Sequence, residues 1–171
     1  MGESGWHYHF FYGCLFLKSY DSGAMLFITG EYECKLDAKG RLVLPSKLKI
    51  LLPETSHLEL FLVKGFEPCL VLYPRIEYQK IFSRIAGLNE FNAEYRSLQR
   101  NFFRGSTPVE LDNAGRFLIP KIMLEYASMD NSCTLVGMGN RMEIWNTEKY
   151  EEYLIKDPQE LSVLAEKHLK E

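Results

Sequence analysis

The sequence predicts an α+β fold, mainly β, in which two copies of one unit share a single barrel. Ten residues that begin at Leu36 return at Leu111, and Leu, Asp, Gly, Arg and Pro keep their places in both copies. Each copy is followed by a short helical segment, a hairpin of two strand-like runs and a longer helix. Four strands are too few to close a barrel well. We therefore expect the two halves to intertwine about a pseudo-twofold axis.

The repeated decamer predicts a tight turn in each half. The copies are Leu36–Pro45 (LDAKGRLVLP) and Leu111–Pro120 (LDNAGRFLIP). Asp begins a turn by bonding the backbone two residues on, and Gly supplies a positive φ. Three apolar residues after Arg predict a short buried strand, which Pro ends. Asp and Arg thus lie at opposite ends of the turn, four residues apart.

The Asp and Arg of each turn have two interpretations from their chemistry alone. In the first, they form a local ion pair that stabilises the turn by about 0–1 kcal/mol if exposed. In the second, Asp fixes the direction of Arg so that Arg binds an anion. The residues leave both interpretations open.

Composition predicts a folded chain without a strong overall charge. The 171 residues are 46% hydrophobic, which is enough for one domain or two small ones. The net charge of −3 is not typical of a nucleic-acid binder. The bases nevertheless cluster in the centre of the chain, at Lys35, Lys39, Arg41, Lys47 and Lys49 and again at Arg96, Arg100, Arg104, Arg116 and Lys121. Several copies side by side would strengthen the positive field.

The residue pattern predicts no metal, cofactor or membrane span. The four cysteines include no Cys-x-x-Cys pair, which argues against zinc and suits a reducing cytoplasm. His7 and His9 are two possible ligands without the others that a closed site needs. No apolar run reaches the roughly 18 residues of a membrane helix.

The chain divides into four parts. We expect residues 1–24 to be a disordered extension upstream of a more natural start at Met25. Residues 25–105 form the first repeat with its connecting helices, and residues 106–150 form the second. Residues 151–171 form a helical tail, whose apolar stripe can pack on a neighbouring subunit.

Helical periodicity predicts which side chains face the core. These are Leu48, Leu51 and Leu52, then Ile81, Phe82 and Ile85, then Phe91, Tyr95, Leu98 and Phe102 on a helix over Glu90–Arg104, and finally Ile122 and Met123. Arg96, Arg100 and Arg104 lie opposite the aromatic stripe. They form either a solvated basic face or a face that tracks phosphates.

The two Asp-x-x-x-Arg decamers, their separation and the aromatic-ended hairpins resemble the MraZ family. The resemblance runs from about Met25 to Tyr150. It implies a swapped-hairpin β-barrel of the AbrB-like superfamily. It also implies a bacterial transcriptional regulator of the division and cell-wall gene cluster, which forms rings and associates with the nucleoid in the cytoplasm.

The same resemblance assigns DNA contact to the repeated motif. Carried over by position, the assignment falls on Asp37, Arg41, Asp112 and Arg116. Lys39 stands inside the first motif, whereas the second has alanine there and so one positive charge fewer. We expect the main DNA surface to comprise Lys39, Arg41, Lys47 and Lys49. Arg binds phosphate or guanine through its planar fork, and repeated promoter boxes on double-stranded DNA would face repeated subunits.

Two other classes of function are alternatives for this sequence. An enzyme would need catalytic pairs such as Asp37 with Asp112, or His57 with Cys69. The sequence offers no nucleophile elbow, phosphate-cradling glycine loop or metal motif to support them. A structural or protein–protein interaction scaffold without DNA binding is the stronger alternative, because the acidic tail and exposed aromatic residues suit an interface.

Overall fold

The computed structural model describes residues 27–52 and 60–169, which form eight strands and six helices. The predicted extension over residues 1–24 lies outside these ranges, as does His57. In chain order the elements are β1 (Ile28–Lys35), β2 (Arg41–Val43), α1 (Ser46–Leu51), β3 (Leu60–Lys64), β4 (Leu70–Pro74), α2 (Arg75–Ala86), α3 (Ala93–Arg104), β5 (Ser106–Val109), β6 (Arg116–Leu118), α4 (Lys121–Tyr126), β7 (Ser132–Gly139), β8 (Met142–Trp145), α5 (Thr147–Tyr153) and α6 (Pro158–His168).

All strand pairs are antiparallel and form two sheets. The larger sheet has the order β1-β7-β8-β4-β3-β5, and β2 pairs with β6 in a separate two-stranded ribbon. The predicted combination of helices with an antiparallel sheet is confirmed. The helices hold more of the described residues than the strands do, so the fold is mixed rather than mainly β. No closed barrel is found among the described residues, since β1 and β5 are the two edges of the larger sheet and do not pair with each other.

The strand pairing interleaves the two halves of the chain. The repeat relates β1 to β5, β2 to β6, β3 to β7 and β4 to β8. When each strand of the larger sheet is replaced by its counterpart, the same strand order is obtained in reverse. The self-equivalent pairs are β4–β8 and β2–β6, whose central residue pairs are Val71 with Glu143 and Leu42 with Phe117. A pseudo-twofold axis therefore passes through the ribbon.

The main core lies between the larger sheet and the ribbon. Leu42 and Phe117 point inward from the centre of the ribbon and are 0% and 1% exposed. Their neighbours Val43 and Leu118 are 50% and 56% exposed. The prediction that all three apolar residues after each Arg are buried is therefore wrong at one position in each repeat, because alternate strand residues face opposite sides.

The two short helices bury one side each. Leu48 and Leu52 are buried after the first decamer, and Met123 is buried after the second. Leu51 and Ile122 are exposed, contrary to the prediction. Neighbouring helical positions differ by about 100°, so Ile122 cannot share the direction of Met123. Leu52 lies beyond the end of α1 in extended conformation and so turns back to the core.

A second cluster joins α2 and α3 to the large sheet. Tyr78, Ile85 and Phe102 are buried in it, and the rings of Phe61 and Tyr78 stack with centroids 4.1 Å apart. Phe82 is 43% exposed, so the prediction that it faces the core with Ile85 is wrong. The periodicity predicted a longer buried stripe on α3. The Asn92 side chain, however, accepts hydrogen bonds from Glu94 N and Tyr95 N and so caps the start of that helix.

Because of this cap, α3 begins at Ala93 rather than at Glu90. Phe91 precedes the helix and is 86% exposed, and Tyr95 and Leu98 are also exposed. The first turns of α3 thus extend past the cluster, and Phe102 alone of the predicted stripe is buried.

Truncation at the axis of the ribbon should be costly. We expect Phe117→Ala to lower the free energy of unfolding by about 3–5 kcal/mol, because both halves pack on this ring and its loss leaves a cavity. Urea unfolding at fixed protein concentration measures the change. Ile76→Ala, at an exposed position of α2, is the control and should change it by less than about 0.5 kcal/mol. Equal effects of the two substitutions would contradict this account of the core.

Candidate nucleic-acid interface

The first turn is built around the carboxylate of Asp37. Lys39 N and Arg41 N both donate to Asp37 Oδ1 at 2.9 Å. Gly40 N donates to Asp37 O at 2.9 Å, and Asp37 N donates to Arg41 O at 3.0 Å. Gly40 has a φ of +76°, which side chains rarely adopt. The predicted roles of Asp and Gly in the turn are both observed.

The same carboxylate holds the arginine side chain. Arg41 Nε donates to Asp37 Oδ2 at 2.7 Å. The predicted local ion pair therefore exists, and yet the Arg41 side chain remains 30% exposed. Arg carries five N–H donors, of which Nε supplies one. Asp37 thus fixes the guanidinium while further N–H groups remain to meet an anion.

The second turn repeats this geometry closely. Ala114 N and Arg116 N donate to Asp112 Oδ1, each at 2.9 Å. Arg116 Nε and Nη2 lie 2.8 Å from Asp112 Oδ2. Gly115 has a φ of +73°, and the Arg116 side chain is 35% exposed. The two repeats therefore form equivalent corners, which we define as residues 37–41 and 112–116.

Hydrogen bonding keeps both aspartates ionised. The backbone N–H of Arg41 is the largest influence that lowers the pKa of Asp37 from 3.8 to about 2, with further help from the Arg41 side chain and Lys39 N–H. The backbone N–H of Arg116 likewise lowers the pKa of Asp112. Burial opposes both shifts without overcoming them. Each arginine therefore has a charged partner throughout the neutral range.

The ribbon brings the two corners to one surface. Arg41 lies opposite Leu118, and Val43 lies opposite Arg116. Opposed residues of an antiparallel pair share a face. Because Leu42 and Phe117 between them point into the core, both arginine side chains extend from the outer face of the ribbon. We call this surface, which carries Arg41, Val43, Arg116 and Leu118, the ribbon face.

Each corner is also tied to the strand of the other half. Leu44 N donates to Gly115 O at 2.9 Å, and Ile119 N donates to Gly40 O at 3.0 Å. These equivalent bonds extend the ribbon beyond its three paired residues. The separation of the two corners is therefore fixed by backbone bonds as well as by core packing.

The lysines are divided between the two corners. Lys39 lies exposed in the first turn, and Lys47 is exposed on α1. Lys49 Nζ lies 3.8 Å from the position that a Cβ atom would occupy at Gly115, which places this ammonium beside the second corner. The equivalent contact at Gly40 is made by Leu124. The second corner thus receives from α1 the positive charge that its own turn lacks.

The sequence did not predict this contribution of Lys49. The repeat suggested that Lys49 belonged with the first decamer, which it follows in the chain. Only the intertwining of the halves carries α1 across to the opposite turn. Residues 37–51 and 112–126 together hold six Lys or Arg against three Asp or Glu, a net +3, whereas the whole chain is −3. Positive charge is therefore concentrated at this side of the fold.

The other basic stretch lies on a different element. Arg96, Arg100 and Arg104 are exposed on α3, which packs on α2 in the second cluster and not on the ribbon. Arg96 Nη1 donates to Glu90 O at 2.7 Å, which uses part of its fork at the start of its own helix. The arginines of α3 form no part of the ribbon face.

The groups considered for catalysis have other environments. Asp37 and Asp112 each bind their own arginine. Cys69 is fully buried, and burial raises the pKa of its thiol to about 12. Among residues 27–52 and 60–169, no three His, Cys, Asp or Glu side chains are grouped as a metal site. Within the same ranges, no helix has the length and apolarity to cross a bilayer.

The aspartate titrations test the geometry of the corners. We expect Asp37 to titrate with a midpoint near pH 2 in carboxyl-detected NMR, and Asp112 to titrate below 3.8. A lowered folded-state pKa means that the contribution to stability is complete above the unfolded value, about 3.9, and is lost as pH falls towards 2. In urea both midpoints should return to about 3.9. A native midpoint near 3.8 for Asp37 would contradict the hydrogen bonds described.

Comparison with known proteins agrees with this arrangement in two halves. The family model for MraZ proteins, which describes them as antitoxin-like, matches residues 27–101 and again 102–169. A protein of Cytophaga hutchinsonii named "Transcriptional regulator MraZ" is 52% identical over 85% of this chain and 96% of its own length. Proteins of the same name are 39% identical in Christiangramia forsetii, over 83% of this chain and 92% of the relative, and 37% identical in Symbiobacterium thermophilum, over 81% and 97%. The resemblance seen in the motifs is confirmed, and the chain belongs to the MraZ family.

Proposed function

We propose that this protein is a transcriptional regulator that binds specific sequences of double-stranded DNA through the ribbon face. The observation that carries the proposal is the placement of Arg41 and Arg116 on one exposed face, each held by an aspartate of its own turn. The names of the relatives, each called a transcriptional regulator, support the same function.

The two-stranded architecture of the ribbon suits a DNA groove. A two-stranded antiparallel ribbon fits the major groove of B-form DNA, where base edges are distinguishable. Arginine binds guanine O6 and N7, or a phosphate, through two parallel N–H groups. Asp37 and Asp112 hold these forks before DNA arrives, so that less side-chain entropy is lost on binding. The aspartates therefore act as positioning residues.

The lysines have a complementary role. Lys39 and Lys49 each lie at one corner, and Lys47 is exposed on α1. Lysine binds phosphate as a mobile point charge and carries little base preference. We propose that Lys39, Lys47 and Lys49 contact the DNA backbone. The two arginines would contact the bases and set the register of the protein on the DNA.

The modest local charge favours binding by several subunits together. A net +3 at the ribbon side gives each subunit few phosphate contacts and so weak affinity. Several ribbon faces on one assembly would gain affinity through effective concentration. Following the family resemblance, we propose a ring that binds repeated boxes in the promoter of the division and cell-wall gene cluster, in the cytoplasm at the nucleoid. The exchange of strands between the halves supports a fold related to the AbrB-like swapped-hairpin barrel.

A scaffold without DNA binding is the second candidate. The observation that favours it is the apolar surface of α6, where Leu161, Val163 and Leu164 are exposed. Such a surface suits a protein partner or another subunit. It does not account for two arginines that are each oriented by an aspartate. It is also compatible with a regulator that assembles through its tail.

Removal of one arginine fork should weaken DNA binding without changing assembly. We expect Arg41→Ala, and separately Arg116→Ala, to weaken binding to DNA from upstream of the protein's own coding region by about tenfold to a hundredfold. Fluorescence anisotropy in moderate salt measures affinity, and mass photometry measures subunit number. Arg84→Ala, an exposed arginine on α2, is the matched control.

The outcomes separate the two candidate functions. Loss of affinity in both corner variants, with Arg84→Ala and subunit number unchanged, supports the regulator. Unchanged affinity in both corner variants would overturn the assignment of the ribbon face. Absence of any sequence-preferring binding by the wild-type protein would favour the scaffold.

The position of Lys49 predicts a specific change in salt dependence. We expect Lys49→Ala to reduce the slope of log affinity against log salt by about 0.9 for each subunit engaged, because one phosphate contact is lost. Lys39→Ala should do the same, since each lysine lies at one corner. Lys167→Ala on α6 is the matched control. A slope unchanged by Lys49→Ala but reduced by Lys39→Ala would contradict the role of α1 at the second corner.

A further inference from the structure

We propose that Val43 and Leu118 determine sequence specificity by contacting the 5-methyl groups of thymine. This inference rests on the proposed function, since it requires DNA at the ribbon face. It extends that function from the arginines, which the motif suggested, to two aliphatic residues that the motif predicted to be buried.

Exposure at these two positions is not explained by packing. Val43 and Leu118 are 50% and 56% exposed, whereas the residues before them, Leu42 and Phe117, are almost completely buried. One exposed aliphatic side chain is ordinary on a protein surface. Here the two occupy equivalent positions of the repeat and flank the pseudo-twofold axis on the same face.

The ribbon register interleaves the aliphatic residues with the arginines. Arg41 pairs with Leu118, and Arg116 pairs with Val43. Side chains that are directly opposed lie about 4.5–5.5 Å apart at Cβ. An arginine that reaches a base edge therefore brings an aliphatic side chain close to the neighbouring base pair. A surface that only tracked phosphates would gain nothing from aliphatic groups at its centre.

The chemistry of the major groove matches this alternation. Guanine presents two acceptors to arginine, and thymine presents a methyl group that apolar side chains contact. RNA lacks this methyl group and has a narrow major groove that side chains cannot read. A second copy of the chain is the poorer occupant, because it would bring segments 37–51 and 112–126, which carry a net +3, against the same segments of another copy. Charge and apolar character together therefore select duplex DNA.

Replacement of thymine by deoxyuridine tests the inference directly, because it removes the methyl group and leaves the pairing edge intact. The DNA is the fragment from upstream of the protein's own coding region, prepared with thymine or with deoxyuridine. We expect wild-type protein to bind the deoxyuridine fragment about fourfold more weakly for each contacted methyl group. Single replacements across the site then locate the thymines.

The variants assign the effect to the two side chains. The double substitution Val43→Ala and Leu118→Ala should bind both fragments with equal affinity. Lys47→Ala should weaken binding to both fragments by the same factor and so keep the preference for thymine. Ile76→Ala, at an exposed aliphatic residue on α2 outside the ribbon face and α6, should keep both the affinity and the preference. Circular dichroism checks that the double variant is folded, and the wild-type comparison needs no variant.

Each result decides a different point. Wild-type protein that binds both fragments equally overturns this inference and leaves the proposed function intact. A thymine preference that persists in the folded double variant overturns the assignment to Val43 and Leu118. Failure of the wild-type protein to bind either fragment overturns the proposed function and this inference together. A preference lost only in the double variant supports both.

Discussion

The antiparallel pairing of β2 with β6 is the constraint on which the rest of the structure depends. Three residues from each half form this ribbon, and Leu42 and Phe117 at its centre close one side of the main core. The same pairing places the two arginines on the opposite side. One face of the short ribbon therefore packs on the core and the other presents the charged groups, since side chains alternate along a strand.

The turns before the ribbon convert a flexible side chain into a directed one. One carboxylate accepts two backbone N–H groups through one oxygen and binds the arginine through the other. Glycine at positive φ lets the chain reverse within so few residues. The distinction between an ion pair that stabilises the turn and one that orients an arginine therefore disappears, because the same bonds do both.

The additional positive charge at the two corners comes from residues at different positions of the repeat. The first turn carries Lys39 within its own sequence, and the second has Lys49 beside it from α1. Leu124 fills the corresponding place at the first turn. The pseudo-twofold axis relates backbone positions, and the chain balances charge between corners across that axis. A repeat can therefore diverge in sequence and still present two similar surfaces.

Much of this molecule was predictable from local patterns. The decamers gave both turns, the positions of Asp37, Arg41, Asp112 and Arg116, and the presence of short strands and helices after them. The periodicity of α3 was less reliable, because the Asn92 cap starts the helix beyond Phe91 and the core does not reach Tyr95 or Leu98. The periodicity of apolar residues indicates which side of a helix is apolar, but not how far the core extends along that helix.

The sequence by itself determined the duplication, because the same decamer stands at Leu36 and at Leu111. It also determined the chemistry of each turn, since a turn depends on residues within ten positions of one another. Only the tertiary structure decided that β1 pairs with β7, that Lys49 reaches the second corner and that Val43 and Leu118 remain exposed. These features depend on contacts between halves some 75 residues apart, and the face that a strand residue presents depends on what its partner strand buries. Local preferences fix the corners, whereas the pairing of the two halves fixes the surface on which they meet.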